Sequence, residues 1–233
     1  MLHLHPNRFL IVAQARSGST LLRTTLNSQK SVCCHGELFG FKRVLGYALP
    51  TENSSKTLFK LRETNHIDFL KEMVFPNNKN FKAIGFKLLH DHIEYPPFAG
   101  LIEVLRQDKN LKIIFLEREN QFKRYVSHEI HRNNLQIGKP KNVPGDAIEK
   151  AFQKTKKQNK IALWTFHNQP SISIRYEDLI RNFDEEIAKI QKFLGVDQKK
   201  LKMLTKPSKP YKYDDVIKNW EEIKKNPLIK KYL

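Results

Sequence analysis

The chain has 233 residues, a formal net charge of +18 at pH 7 and 39% hydrophobic residues. That is enough chain for a substantial core and too much apolar content for a disordered polyelectrolyte. No uninterrupted run of about eighteen apolar residues exists, so no membrane-spanning helix is expected. The basic excess either attracts phosphates, sulfates, nucleic acid or anionic lipid, or is a lysine-rich solvated surface.

The N-terminal MLHLHPNRF runs straight into an apolar stretch with no hydrophobic leader region, so a cytoplasmic location is expected. Phe9–Ala13 is short, unbroken and apolar, the pattern of a strand buried in a parallel sheet. A polar turn, Gln14-Ala15-Arg16-Ser17-Gly18, follows. Ser19-Thr20 opens a helix with Leu21, Leu22 and Leu26 on one face. Strand, tight turn and helix N-terminus together make an anion site. The leading N–H groups of the helix lack internal partners, and its dipole favours negative charge there. Arg16, Ser17, Ser19 and Thr20 add a cation and three hydroxyls at the same point.

Set against the nucleotide P-loop, G-x-x-x-x-G-K-[ST], this stretch has Ala13 for the first glycine and keeps Gly18. Ser19 stands where the lysine would be, and Thr20 supplies the hydroxyl. The lysine that grips β/γ-phosphates is lost, and a cation reappears earlier, as Arg16. The loop is a poor ATP site and suits a different phosphorylated donor.

RSGSTLL after a strand resembles the 5′-phosphosulfate loop of sulfotransferases that use 3′-phosphoadenosine-5′-phosphosulfate (PAPS). The leading arginine is similar to that of the trehalose-type bacterial and tyrosyl-protein branches. The resemblance implies that Arg16, Ser17, Gly18, Ser19 and Thr20 hold the phosphosulfate end of PAPS, with adenosine 3′,5′-bisphosphate (PAP) as product and no metal. The alternative is a generic strand–turn–helix with a solvated arginine.

Val32–Cys34 reads as a second, short strand delivering His35-Gly36-Glu37 to a loop or strand end. Glu37 lies 21 positions after Arg16 (37 − 16). In the two resembling branches a glutamate at closely similar spacing is the catalytic base. The resemblance therefore implies Glu37 as base, with His35 as its rival and Arg16 assisting the leaving group. A surface carboxylate and a hydrogen-bonded loop histidine are the alternatives. Cys33 and Cys34 are adjacent, cannot form an ordinary disulfide and lack C-x-x-C spacing. They read as two small buried residues in a reducing compartment.

Asn65 is placed to cap a helix through Ile67, Phe69, Leu70, Met73 and Val74 that stops at Pro76. Phe81–Leu89 is another buried strand, and its GFKLLHD string is similar to a glycine-x-lysine segment of bacterial sulfotransferases. Lys87, near the strand's carboxyl end, either faces an anion or snorkels at the strand end. His90 and His92 flank Asp91, but no further ligand stands at a recognised metal spacing.

Pro96-Pro97 starts a helix through Leu101, Ile102, Val104 and Leu105, ending at Asp108–Asn110. Leu111–Leu116 is the clearest strand, followed by Glu117-Arg118-Glu119-Asn120 and a helix from Gln121 to about Asn133. RENQFKRYVS resembles the 3′-phosphate element of the same enzymes, which implies Arg118 and Ser127 as phosphate ligands. Asn120 is placed to cap that helix.

Gly138–Gly145 reads as a loop over the site, and Asp146 begins a long helix with a basic middle. Ser171–Arg175 is an edge or final strand followed by Tyr176-Glu-Asp-Leu179, another family-like string. Phe183–Leu194 is an amphipathic helix closed by Gly195. Lys206 and Lys209 lie in a proline-punctuated basic loop before a helix containing Ile217 and Trp220. They either close over the nucleotide or are solvated.

Strands alternating with helices predict an α/β fold with a parallel central sheet flanked by helices, P-loop-like, as a single domain over residues 1–233. The resemblance, spread from Phe9 to about Trp220, implies sulfuryl transfer from PAPS to a hydroxyl of a small-molecule or glycan acceptor, most simply a carbohydrate. No nucleic-acid partner is expected. Two other classes remain open. One is a small-molecule kinase with a degenerate P-loop, although no Mg-binding aspartate closes a strong strand. The other is a non-catalytic basic module that binds nucleotide or polyanion.

Overall fold

The computed structural model describes residues 6–40, 44, 54–75, 80–205 and 211–233. Five parallel strands form one sheet in the order β2-β3-β1-β4-β5. They are β1 (Asn7–Ala13), β2 (Val32–His35), β3 (Ala83–Leu89), β4 (Lys112–Glu117) and β5 (Ser171–Arg175). β1 is central, with Phe9–Ala13 fully buried, as an apolar run without alternation requires. In register, Ile11 lies beside Lys87 on one flank and Ile114 on the other.

The helices, in chain order, begin with α1 (Ser19–Asn27), α2 (Ser54–Thr64) and α3 (His66–Asp68), and α3 runs on into a π-helical turn at Phe69–Val74. There follow α4 (His90–Ile93), α5 (Ala99–Gln107), α6 (Gln121–His131), α7 (Gly145–Thr165), α8 (Tyr176–Arg181) and α9 (Phe183–Leu194). The chain closes with α10 (Trp220–Ile223) and α11 (Pro227–Lys230). Among the described residues, no helix is long and apolar enough to cross a membrane.

Alternating strand residues serve the two sheet faces. Leu10, Val12, Phe86 and Leu88 pack with Leu101 and Leu105 of α5 and with Ala162 of α7. Phe9, Ile11, Ile114 and Leu116 pack with Leu22 and Leu26 of α1 and with Ile187 and Ile190 of α9. A third cluster joins Phe122 and Val126 of α6 to Val216, Ile217, Ile223 and Ile229 near the C-terminus.

Several boundaries differ from expectation. Asn65 does cap, accepting from the Asp68 N–H at 3.1 Å, but the regular helix lasts one turn before widening into the π-helical segment. Pro76 lies outside the described residues. Pro96-Pro97 opens a 3-10 turn, Pro96–Phe98, rather than α5 itself. Ile217 is not helical. It pairs with Lys141 in an isolated bridge, so the 138–145 segment is tied to the C-terminal segment. Asn120 caps α6 at the Lys123 N–H, and Gly195 closes α9 at φ 71°. Both cysteines are free and buried.

Candidate functional site

The loop between β1 and α1 turns through two left-handed residues, Arg16 (φ 70°) and Gly18 (φ 86°). For arginine this costs on the order of 1–3 kcal/mol, and surrounding contacts must hold it. Two of them do. The Arg16 Nε donates to Ser127 Oγ at 3.1 Å, and Arg118 Nη1 donates to the Arg16 carbonyl at 3.1 Å. Gly18 has no substitute, because a Cβ there would lie 2.3 Å from Cδ2 of Tyr176. No side chain caps α1, and no acidic residue occupies its first turn, so its leading N–H groups remain available to an anion.

The two loop motifs, distant in sequence, are therefore one structure. β4 delivers Arg118, and α6 delivers Ser127 two turns on. The segment after β5 clamps both. Tyr176 covers Gly18, and its ring takes the Arg118 guanidinium at 4.9 Å from the centroid. Glu177 accepts from the backbone N–H groups of Glu119 (2.9 Å) and Asn120 (3.1 Å). Sequence reasoning placed Tyr176 and Glu177 only as a family-like string. The signal available was a Tyr-Glu pair directly after a strand adjoining the arginine-bearing one.

Among the described residues, Ser17 Oγ, Arg118 Nε and Tyr211 Oη are buried without a hydrogen-bond partner. Tyr211 feels the charges of both Arg118 and Arg16, while burial pushes its phenol up to about 12. Tyr211 was missed because its segment reads as a solvated tail. Unsatisfied buried donors around two arginines are the arrangement an anionic group would complete.

Beside this cradle stands a second charge group. Lys87 Nζ donates to Thr20 Oγ1 and to Glu37 Oε1, each at 3.1 Å. Lys87 is buried, so the snorkelling alternative does not describe it; the Glu37 side chain is 30% exposed. Burial lowers the Lys87 ammonium pKa, the Glu37 carboxylate opposes this, and Arg23 one turn along α1 adds to the lowering. Arg62 holds the turn after Glu37. Fully buried on α2, it donates from Nη1 to the carbonyls of Leu38 and Gly40, each at 2.8 Å. No motif in the sequence marks Arg62.

His35 sits differently from Glu37. It is buried within β2, 3.5 Å from Cys33 Sγ, and burial lowers its pKa to about 4. His90 and His92 are also buried and lowered to about 4. His92 feels both Glu37 and Asp91. Among the described residues no group of three His, Cys, Asp or Glu side chains could hold a metal ion. Lys206 and Lys209 lie outside the described residues.

A cleft opens where Gln14 and Ala15 leave β1, between α4, α6 and α7. Its walls are mostly polar, with His90, Asp91, Arg124, His128, Glu129 and Gln158 among them. Gln14 Nε2 donates to the Thr155 carbonyl at 3.2 Å, tying the loop to α7.

A family model described as the sulfotransferase family matches residues 7–200, and the chain belongs to that family. A sulfotransferase from Alicyclobacillus acidocaldarius has the same fold, at 18% identity and a TM-score of 0.56, covering 97% of this chain and 92% of that one. The sulfotransferase domain of the Synechococcus PCC 7002 olefin synthase aligns at 17% identity and 0.45, covering 84% and 76%. Mouse sulfotransferase SULT7A1, solved with PAP, aligns at 18% and 0.46, covering 82% and 59%. No curated protein matches the sequence.

Proposed function

We propose that the protein transfers a sulfuryl group from PAPS to a hydroxyl of a carbohydrate acceptor, as one domain over residues 1–233. The observation that carries this is the coupling of Arg16 to Ser127 and of Arg118 to the Arg16 carbonyl. It makes the two phosphate-type motifs one basic cradle with unsatisfied buried donors inside it.

In this reading Arg16, Ser17, Gly18, Ser19 and Thr20 hold the 5′-phosphosulfate end, and Arg118 with Ser127 holds the 3′-phosphate. PAPS supplies an activated sulfuryl group on a phosphate leaving group. Arg16 and the α1 N-terminus stabilise the negative charge that develops on that phosphate. Glu37 takes the proton of the acceptor hydroxyl. Lys87 holds one oxygen of Glu37 in place beside Thr20. Glu37 is preferred to His35 because it is partly exposed, whereas His35 is enclosed in β2 and is a weak base at its lowered pKa. The largely polar cleft suits a hydroxyl-rich acceptor better than an apolar phenol or sterol. A cytoplasmic location and the lack of a nucleic-acid partner belong to the same reading.

Calorimetry with PAP and with ATP-Mg tests the donor assignment. PAP is expected to bind without added metal and more tightly than ATP-Mg. Tighter binding of ATP-Mg would return the kinase reading.

A further inference from the structure

We propose that the cleft beside the phosphate loop recognises an anionic group on the acceptor, with Arg124 as its principal contact and Arg132 as a second, so that the acceptor is an acidic glycan. This rests on the sulfotransferase reading and adds the acceptor's chemical class to it.

The argument is one of charge accounting. The carboxylates lining the cleft are already engaged. Asp91 accepts from Lys154 at 3.1 Å and from Gln158 at 2.7 Å. Glu129 accepts from Asn134 at 2.7 Å and lies 3.4 Å from His128 Nδ1. Arg124 and Arg132 also line the cleft, and among the described residues neither has a carboxylate within ion-pair distance. Arg132 is exposed, so its charge is solvated. Arg124 is 7% exposed. Neutral atoms hold it, with Nε donating to Gln121 Oε1 at 3.0 Å and Nη2 to Thr155 Oγ1 at 2.6 Å.

Burial and the charge of Arg118 lower its pKa to about 10 against the opposing pull of Asp91, so the guanidinium remains charged at neutral pH. A buried cation with no carboxylate in contact is costly, and an anionic ligand offsets that cost. A second group points the same way. His90 is 6% exposed and lines the cleft, and its Nδ1 is buried without a partner.

The donor site does not account for this cation. Arg16, Ser17, Arg118 and Ser127 are not among the cleft's walls; Gln121 stands between Arg124 and the Arg118 carbonyl, and Nη2 of Arg124 is fastened to Thr155 of α7. The cleft lies on the acceptor side. Its walls Leu89, His90 and Asp91 continue the chain from the carboxyl end of β3, two to four residues beyond Lys87, the partner of the proposed base Glu37. In the proposed complex an acidic sugar held by Arg124 turns its neighbouring hydroxyls toward that end of β3.

The test is calorimetric titration, with and without saturating PAP, of a hyaluronan tetrasaccharide and of neutral cellotetraose. Arg124→Gln, Arg132→Gln and the exposed-surface control Lys200→Gln are compared with wild type. The acidic tetrasaccharide is expected to bind at least about tenfold more tightly than the neutral one. Arg124→Gln should remove roughly tenfold or more of that affinity, the range for a hydrogen bond to a charged group, and leave PAP affinity intact. Arg132→Gln, which disturbs no core contact, should remove roughly threefold. Equal binding of the two sugars would overturn the proposal. So would an equal loss from Lys200→Gln, which would mean diffuse attraction to a basic surface. A loss of PAP affinity in folded Arg124→Gln would assign that arginine to the donor instead. Failure of wild type to bind PAP would defeat the sulfotransferase reading, and the titrations without PAP would still decide the cleft.

Discussion

The ammonium of Lys87 lies 3.1 Å from the carboxylate of Glu37, joining the end of β3 to the turn after β2. The same nitrogen reaches Thr20 in the first turn of α1, so one buried cation connects the proposed base to the proposed donor loop. Lys87→Met keeps the length and removes the charge. Its turnover is expected to fall about 10²–10³-fold, as when one preorganised electrostatic group is lost from a reacting centre. Because Glu37 is partly exposed and can be solvated, stability should change by no more than about 1 kcal/mol. Steady-state assay and chemical denaturation of the same variant check both halves, and unchanged turnover would remove Lys87 from the reaction.

Arg118 donates to the Arg16 carbonyl, and its Nε has no partner among the described residues. Arg118→Ala should weaken PAP binding by about 1.5–3 kcal/mol, the range for a hydrogen bond to a charged group. Binding of 5′-AMP, which has no 3′-phosphate, should weaken much less. Calorimetry on both ligands decides the point, and equal losses would refute the 3′-phosphate assignment.

His35, His90 and His92 are buried with pKa values lowered to about 4, against 6.5 in an unfolded chain. Below pH 6.5 the unfolded chain takes up protons that the folded protein refuses. Their contribution to stability is therefore complete above pH 6.5 and is lost as pH falls toward 4. Each histidine contributes a slope of about 1.4 kcal/mol per pH unit in that window. Urea denaturation at pH 7, 6 and 5 should show the midpoint dropping steeply below 6.5, and a flat profile would contradict the burial of these rings.

Arg62 satisfies two carbonyls of the turn that follows Glu37. Arg62→Met leaves both without their buried donor and should cost about 2–4 kcal/mol. Thermal denaturation checks this, and a loss below about 1 kcal/mol would mean the turn holds itself.

Much of this was legible in the chain. Phe9–Ala13 and Leu111–Leu116 are apolar without alternation, and only strands covered on both faces read that way. The turn at Arg16–Gly18 was legible because a polar interruption between strand and helix leaves few conformations. What joins these elements was not legible. The hydrogen bond from Arg16 to Ser127 spans 111 positions, and neither residue names the other. Arg62 was hidden for the same reason, since nothing in a helix sequence says that a guanidinium will turn inward to carbonyls 22 and 24 residues away. The short α3 was overread as a longer helix because π-helical and α-helical turns place apolar side chains at similar intervals.

The most direct test is single-turnover transfer from sulfur-labelled PAPS to an acceptor found by screening acidic and neutral glycans, in wild type, Glu37→Gln and His35→Ala. Glutamine keeps the shape at position 37 and removes the basicity. The expected result is PAPS affinity close to wild type in Glu37→Gln, with transfer slowed about 10²–10⁴-fold, the usual contribution of a positioned general base. His35→Ala should lose stability but keep transfer in the fraction that remains folded. Full-rate transfer by Glu37→Gln with none by folded His35→Ala would give the proton to histidine, and tight PAP binding by wild type with no transfer to any acceptor would contradict sulfuryl transfer itself.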